Sequence, residues 1–439
     1  MPDEPTQPTR SLAPPFWAIL TLPFGLSVGF ASIAVPFVLR ARGVDMTLIA
    51  TVSQVAQLPH IVKPFWSPAL DSGPKRRTWF FATIALTALA LAATALIPPS
   101  TTDHVGPVPM LWVYTGVLFI AQAAVATSAS AVLAMMAITV PDALRGRASG
   151  WQTAGNLAGM SCGGGLVAWM IGHVSTTTTA IPLASICALC AIPAAFIHET
   201  APPRRSAWRL IVDLLREIGR VLKSRDGWTG MLICLSPVGT GALTNLFGAL
   251  ARDYAPDDAG AEHLVVIVTG LLGGIVNAAG ALVGGYVVDR VNRRLAYVVF
   301  GGVTALSAVA MMFVAATPTA FTVGCLAYTF ANGLCYAAFY AFLLDLLGKT
   351  RGVTTQLALY VGASNMAITY VTWFDGASYD WAKKLAPTST WAPRAGMLGM
   401  DALATFVGIA LLWVMLVYVR RAKARDAAAA AASSPAAAA

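Results

Sequence analysis

The sequence predicts an all-α membrane protein whose twelve transmembrane helices form two six-helix bundles. Of its 439 residues, 57% are apolar and only 11% are charged, and the mean hydropathy is +0.68. A chain with so few charges cannot cover several soluble domains. Apolar runs of about 20 residues recur, which is the length that crosses about 30 Å of hydrocarbon. The runs do not alternate between apolar and polar residues, which favours helices over the strands of a barrel.

The twelve runs are numbered here as spans 1 to 12 in chain order. Span 1 is too long for the core of a signal peptide and has no basic segment directly before it, so we expect it to be retained. The runs lie near residues 16–38, 47–70, 78–97, 110–138, 148–172, 178–197, 228–250, 264–288, 295–315, 319–346, 354–374 and 396–419.

A longer polar segment divides the spans six and six. We expect an N-terminal bundle over residues 1–200, a cytoplasmic linker over 201–226 and a C-terminal bundle over 227–420. The alanine-rich tail over 421–439 is expected to be disordered or a frayed helix. In the linker, basic residues such as Arg209 and Arg216 alternate with Leu210 and Leu214, which indicates an amphipathic helix on the anionic inner leaflet.

Two similar stretches, one in each half, indicate a duplicated unit. Trp66-Ser67-Pro68-Ala69-Leu70-Asp71 is followed by Lys75-Arg76-Arg77, and Gly285-Tyr286-Val287-Val288-Asp289-Arg290 is followed by Arg293-Arg294. An acid at a helix end can accept hydrogen bonds from a neighbouring helix N-terminus in one conformation and not in another. Alternatively, these basic residues only fix the topology. The predicted gating residues are Asp71, Arg76, Arg77, Arg145, Arg147, Asp289, Arg290, Arg293 and Arg294.

The placement of the positive charges explains the net charge of +9 without nucleic acid. Of the 29 Lys and Arg residues, 22 fall on one side of the membrane when the loops are assigned alternately, and six fall on the other. Because cytoplasmic loops carry the excess of positive residues, we expect both termini to be cytoplasmic. The expected location is a bacterial-type inner membrane.

Ionisable side chains in the hydrocarbon cost about 2.5 to 3.5 kcal/mol each, so they indicate function. On span 2, Gln57, His60 and Lys63 share one polar arc, which predicts a cavity-facing surface. The alternative is that Lys63 snorkels to the interface and His60 is bonded within the bundle.

Asp345 in span 10 is the acid that we expect to lie deepest in the second half, either as a proton carrier or as a partner of Lys349. We expect Asp375, Asp401, Asp253, Asp257 and Asp258 to be solvated near the outer face. Neutral amides could line a solute path or simply join helices. They are Gln122, Asn156, Asn245, Asn277, Asn332 and Asn365.

Small residues and cysteines complete the pattern. Glycine runs in spans 5 and 8 predict close helix contacts. All six cysteines fall in apolar segments and are expected to be core residues, so we predict neither a disulfide nor a metal site. No nucleophile and base pair is apparent, so neither an enzyme nor a cofactor is expected.

The stretch from Gly285 to Arg294 resembles the signature of the major facilitator superfamily. Within that superfamily, Lys63-Pro64-Phe65-Trp66-Ser67-Pro68 with Asp71 and Arg76-Arg77-Thr78-Trp79 is similar to the peptide and acetyl-CoA transporter group, which includes AmpG-like permeases. The resemblance implies proton-driven movement of a bulky polar or anionic solute into the cytoplasm, through a central cavity near Lys63. The chain departs from the group at Ser72 and at Pro74-Lys75.

Three functions therefore stand as expectations, in a protein expected to be a monomer. The favoured one is proton-coupled uptake of a solute that is muropeptide-, siderophore- or CoA-ester-like, by alternating access. Export of drugs or metabolites is the second, which the absence of a proline beside Gly163-Gly164-Gly165 disfavours. A receptor or assembly factor that transports nothing is the third.

Overall fold

The computed structural model describes most of the chain. The described residues are 12–66, 69–70, 73–97, 99–100, 102–105, 108–140, 145–173, 176–199, 201, 206–255, 257–288, 290–347 and 353–432. Across these ranges the chain is helical at each of the twelve predicted spans. Six of the helical segments are long and apolar enough to cross a membrane by length and composition alone, and two shorter ones, Met46–Val62 and Pro182–Phe196, are also apolar.

The first six spans lie between residues 14 and 196. A two-residue pair of antiparallel strands, His104–Val105 with Val108–Pro109, stands before span 4 and was not predicted. The α-helices of this half are Pro14–Gly29 and Val35–Ala41 (span 1), Met46–Val62 (span 2), Arg76–Leu96 (span 3), Met110–Thr139 (span 4), Arg145–Ser161 and Val167–His173 (span 5) and Thr176–Ala191 (span 6).

The last six spans follow the linker helix Ala207–Lys223, on which Leu214 is buried while Arg209 and Arg216 are exposed. Their α-helices are Arg225–Leu235 and Phe247–Leu250 (span 7), Asp258–His263 and Gly273–Val288 (span 8), Arg293–Phe313 (span 9), Pro318–Leu347 (span 10), Val353–Leu385 (span 11) and Ala392–Ala432 (span 12).

Three spans change from α-helix to wider π-helix near their middle. The π segments are Phe30–Ala34 in span 1, Cys162–Leu166 in span 5 and Leu264–Leu272 in span 8, and the three pack against one another. Such segments are rare and often mark functional positions. Here they bring both halves of the molecule together in the middle of the fold.

Glycines allow the closest helix contacts, as the sequence predicted. A Cβ atom added at Gly159 of span 5 would overlap the carbonyl oxygen of Leu22 in span 1, and one at Gly280 of span 8 would overlap that of Phe330 in span 10. The backbones of these helix pairs are therefore in direct contact, which is the usual way in which membrane helices pack.

The two bundles contact each other extensively at one end. We call this end outer, because the distribution of basic residues predicts that it lies outside. Span 2 packs along span 11, and a Cβ at Gly376 of span 11 would press on Met46 and Ala50 of span 2. Spans 5 and 8 meet where Gly165 lies against Val266 and Gly270. The structure is therefore closed at its outer end.

Of the two expectations for the alanine-rich tail, the helix is seen as far as Ala432, in keeping with the high helix propensity of alanine, and the residues after it lie outside the described ranges. One expectation about the cysteines is corrected. Five cysteines are buried, but Cys162 is exposed at the start of the π segment in span 5. An apolar run does not reveal which of its positions face outward.

The glycine contacts generate a prediction about stability. Gly159→Val should force spans 1 and 5 apart and lower the free energy of unfolding by about 1–3 kcal/mol, the usual cost of overpacking. The measurement is thermal unfolding of the purified protein in detergent. Gly116→Val in span 4 is the matched control, because an added Cβ there meets nothing within 4 Å. Equal stability of the two variants would contradict the prediction.

Candidate functional site

A small cavity lies between the bundles at the level of the π segments. It has a volume of about 50 Å³ and is lined by Ile33, Leu157, Met160, Ser161, Thr244, Phe247, Thr269, Gly270, Gly273, Gly274, Asn277 and Thr329. This volume holds one or two waters, whereas drug-sized ligands need about 300–1,000 Å³. A bulky solute could enter here only after the bundles move apart.

Span 2 carries the most concentrated polar surface of the first half. Its α-helix contains Pro59 and ends at Val62, where it tightens into the 3₁₀ turn Lys63–Phe65 before Trp66. Proline at position 59 removes one backbone donor, and a change to 3₁₀ geometry inside a span often marks a hinge. Lys63 and Gln57 are half-buried on this helix, and His60 is buried.

His60 belongs to a hydrogen-bonded chain that joins three spans. Its Nε2 atom lies 3.0 Å from Oε1 of Gln122 in span 4, whose Nε2 donates to the backbone oxygen and hydroxyl of Ser27 in span 1, at 2.8 and 3.0 Å. The ring of Phe24 stands edge-on to His60 at 5.7 Å. His60 and Gln122 thus hold spans 1, 2 and 4 together.

Across the interface, Asn365 of span 11 donates to the backbone oxygen of His60 at 3.3 Å. The contact connects the polar surface of span 2 to the second bundle. Its donor is a neutral side chain and its acceptor a backbone carbonyl, so it can break and re-form without uncovering a charge.

Span 7 is broken between its two helices, which the sequence analysis did not predict. Gly239 and Gly241 have positive φ values of 57° and 70°, a conformation that glycine adopts without strain. Five carbonyl groups around the break each accept a hydrogen bond from another helix. The donors are Tyr370 to Leu235 (2.7 Å), Thr405 to Pro237 (3.3 Å), Tyr297 to Val238 (3.1 Å), Asn332 to Gly239 (3.1 Å) and Tyr336 to Thr240 (3.3 Å).

A hydrogen-bonded triad, which we call the outer latch, ties the bundles together. Arg40 at the end of span 1 donates to the hydroxyl of Tyr379 in span 11 at 2.6 Å and pairs with Asp253 after span 7 at 3.3 Å. The Tyr379 hydroxyl in turn donates to Asp253 at 2.6 Å. One residue further, Asp380 accepts from the backbone N–H groups of Met46 and Thr47, at 3.2 and 2.7 Å. It therefore caps the outer end of span 2.

The remaining predicted residues are distributed between several places. Asn245 is buried and bonds to Thr372 of span 11 at 3.3 Å, and Asn156 is half-buried in span 5.

Among the predicted gating residues, Arg77 binds Glu199 through its backbone N–H and the Ile197 carbonyl through its side chain, within its own bundle. Arg76, Arg290 and Arg293 lie beside helix ends, and Arg294 stacks on Phe342 at 5.6 Å. Asp71 and Asp289 lie outside the described residues, as do the side chains of Arg145, Arg147 and Asp345.

The expectation that the acids of spans 11 and 12 are solvated is wrong. Asp375 is 0% exposed and Asp401 is 1% exposed. Asp253 is mostly buried in the outer latch, whereas Asp257 and Asp258 are exposed. The outer ends of spans 11 and 12 lie at Leu385 and Ala392, so these helices extend beyond the predicted runs. Lys383, Lys384 and Arg394 had obscured this extension in the hydropathy pattern.

The comparisons with known proteins agree with this architecture. The family model of the Major Facilitator Superfamily matches residues 17–372. The anhydromuropeptide permease of Escherichia coli strain K12 is 26% identical over 368 residues, which cover 80% of this chain and 71% of that protein. Its counterpart in Escherichia coli O157:H7 matches equally well.

Solved structures are similar in fold. The crystal structure of a D-xylose-proton symporter superposes with a TM-score of 0.67 and 14% identity, over 91% of this chain and 96% of that one. The nucleoside transporter NupG superposes with a TM-score of 0.64 and 12% identity, over 90% and 98%. At such identities the likeness concerns the fold alone.

The outer latch generates a prediction about conformation. Tyr379→Phe removes the hydroxyl shared by Arg40 and Asp253, and hydrogen bonds to charged groups contribute about 1.5–3 kcal/mol. The outer ends should therefore separate in a larger fraction of molecules, about tenfold or more. The measurement is the electron-electron distance between spin labels at Arg42→Cys and Leu385→Cys, with the native cysteines replaced.

Tyr418→Phe is the matched control for this experiment, since that tyrosine is exposed near the other end of span 12. An unchanged distance distribution in Tyr379→Phe, relative to the control, would show that the latch does not hold the outer end closed.

Proposed function

The chain belongs to the major facilitator superfamily, and we propose that it takes up a bulky polar or anionic solute together with protons. It would do so as an inner-membrane secondary transporter with both termini in the cytoplasm. The observation that carries this proposal is the arrangement around span 2. There, a hinged helix with His60 and Lys63 meets Asn365 of the opposite bundle, while the outer ends are held together by a polar latch.

We infer alternating access from the polar contacts at the outer end. Glycines place backbones in direct contact within a bundle, as at Gly159, and also between the bundles, as at Gly165 and Gly376. Between the bundles, the outer latch consists of a few hydrogen bonds. Breaking it exposes polar groups that water can then solvate, so the outer end can open at modest cost.

Lys63 supports an anionic solute. An ionisable group within a membrane span indicates a solute or ion path, and the ammonium group of Lys63 has the charge that attracts a carboxylate or phosphate on a solute. The likeness to a permease for anhydromuropeptides favours a solute of that kind. Siderophore-like and CoA-ester-like solutes are the alternatives.

The membrane potential and proton gradient would drive uptake. Each positive charge that moves inward gains about 2.3 kcal/mol per 100 mV. A symporter that takes in more protons than the solute has negative charges uses this gain, and one that takes in an equal number is driven by the pH gradient alone. We further propose that the basic turns at Arg76 and Arg77, and at Arg290, Arg293 and Arg294, close the inner end when the outer end opens.

The test is uptake of a radiolabelled anhydromuropeptide into proteoliposomes with an imposed pH gradient. Ferric siderophore and acetyl-CoA serve as alternative solutes. We expect Lys63→Ala to lower uptake at least tenfold at an unchanged level of protein in the membrane, because a lost contact to a buried charge is worth more than about 1.4 kcal/mol. Lys63→Arg should retain part of the activity.

Lys223→Ala is the control, since that lysine is exposed at the end of the linker helix. Unchanged uptake in Lys63→Ala would remove this residue from the solute path. If the wild-type protein moves none of the three solutes, the result would contradict uptake of this class of solute.

A further inference from the structure

We propose that Asp375 of span 11 and Asp401 of span 12 form the site that binds the coupling proton, with Asp375 as the residue that carries it. The inference rests on the proposed function, and it assigns to two named residues a role that sequence reasoning had given to Asp345. Both acids are deeply buried, and neither forms an ion pair with a residue that the structure describes. Asp375 lies on the helix that carries Tyr379 of the outer latch.

The two acids differ in their surroundings. Asp401 accepts hydrogen bonds from the hydroxyl of Tyr328 in span 10, which lies 3.2 Å from each of its oxygens. Neither oxygen of Asp375 has a hydrogen-bond partner among the residues that the structure describes. The two acids stand on spans 11 and 12, whose helices pack along each other. Asp401 is thus the acid better suited to carry a charge.

Both acids lie at about the same depth. Asp375 precedes the outer end of its helix, Leu385, by ten residues, and Asp401 follows the outer end of its helix, Ala392, by nine. At 1.5 Å per residue, each lies about 14–15 Å inside the outer ends of the two helices. Both acids therefore lie well inside the outer ends of their helices.

The charged groups on the neighbouring helices have partners of their own. Arg40 of span 1 reaches Tyr379, one turn outward of Asp375, and is paired there with Asp253. On span 12, Arg394 lies two turns nearer the outer end, where it stacks on Tyr254 at 4.8 Å and donates to the carbonyl of Thr390 at 3.1 Å. On span 2, the ionisable group of the helix Met46–Val62 is His60, whose carbonyl meets Asn365, about 15 Å along span 11 from Asp375. The facing segment of span 7, Ala242–Asn245, contains no ionisable residue.

An isolated carboxylate in such surroundings would be strongly unfavourable, and two neighbouring carboxylates still more so. In the closed state, Asp375 therefore holds a proton on one of its oxygens. The proton arrives from water on the outer side when the outer latch is open. It leaves to water on the inner side after the bundles have rearranged, and the carboxylate left behind is then hydrated.

The first test uses no solute. Purified protein in lipid nanodiscs is titrated with pH in H₂O and in D₂O, and the carbonyl stretch of protonated carboxylic acids is recorded by infrared difference spectroscopy. We expect a titrating, deuterium-sensitive band in the wild-type protein that is lost in Asp375→Asn, altered in Asp401→Asn and retained in Asp375→Glu. Asp213→Asn is the control, because that acid is exposed on the linker helix.

Each outcome of the titration decides the proposal. A band that is the same in Asp375→Asn as in the wild type would overturn it. So would a band that sodium ions abolish as effectively as alkali, because the pair would then be a sodium site. Thermal unfolding and gel filtration of the asparagine variants ensure that a lost band does not result from misfolding.

The second test uses the solute that the wild-type protein moves. Asp375→Asn should retain exchange of labelled for unlabelled solute across proteoliposomes, but accumulation driven by a pH gradient should fall to equal concentrations on both sides. Gradient-driven accumulation at the wild-type level would refute the proposal. If the wild-type protein moves no solute, the proposed function fails, while the infrared titration still decides whether the pair binds a proton.

Discussion

The fold depends on one constraint, which is that a polar group inside hydrocarbon must find its partner within the protein. Each backbone group left unpaired there costs several kcal/mol, so the chain crosses the membrane as helices. Where span 7 breaks, five side chains from spans 9, 10, 11 and 12 donate to the freed carbonyls. These bonds stabilise the break, and they hold unwound backbone inside the bundle. Discontinuous helices of this kind are common beside the binding sites of transporters.

The same constraint separates the parts of the molecule that stay together from the parts that can come apart. Gln122 is buried and is hydrogen-bonded to spans 1 and 2. If span 4 moved away, several buried polar atoms would lose their hydrogen-bond partners. Arg40, Asp253 and Tyr379 lie at the outer end, where water can replace their mutual hydrogen bonds as soon as the bundles separate. Polar contacts in the middle of a bundle thus make it rigid, and polar contacts at its end make a reversible closure.

The sequence predicted the architecture because hydropathy is set by lipid and is read directly from composition. Spans, glycine contacts and the superfamily followed from local patterns. The break in span 7 escaped because Pro237, Gly239 and Gly241 stand in an apolar run, and their partners come from distant helices. Asp375 and Asp401 were misplaced for a related reason. Lys383 and Lys384 appeared to lie beyond the end of span 11, but its helix continues to Leu385. Arg394 appeared to lie before the start of span 12, but its helix begins at Ala392. Depth in a bundle depends on neighbours, which a single sequence does not display.

Span 11 connects the buried acid to the outer closure over one helical turn. Tyr379 of the outer latch follows Asp375 by four residues, so the two lie on the same face of the helix. Gly376, between them, lies directly against span 2. If Asp375 loses its proton, the carboxylate is more stable in a state in which water reaches it. Water cannot reach Asp375 while span 11 is packed against span 2. Deprotonation therefore disfavours the closed arrangement, and closure disfavours deprotonation to the same extent, because linkage is reciprocal. An acid one turn from the outer latch on the same helix thus lets the binding free energy of the proton contribute to the movement of the bundles.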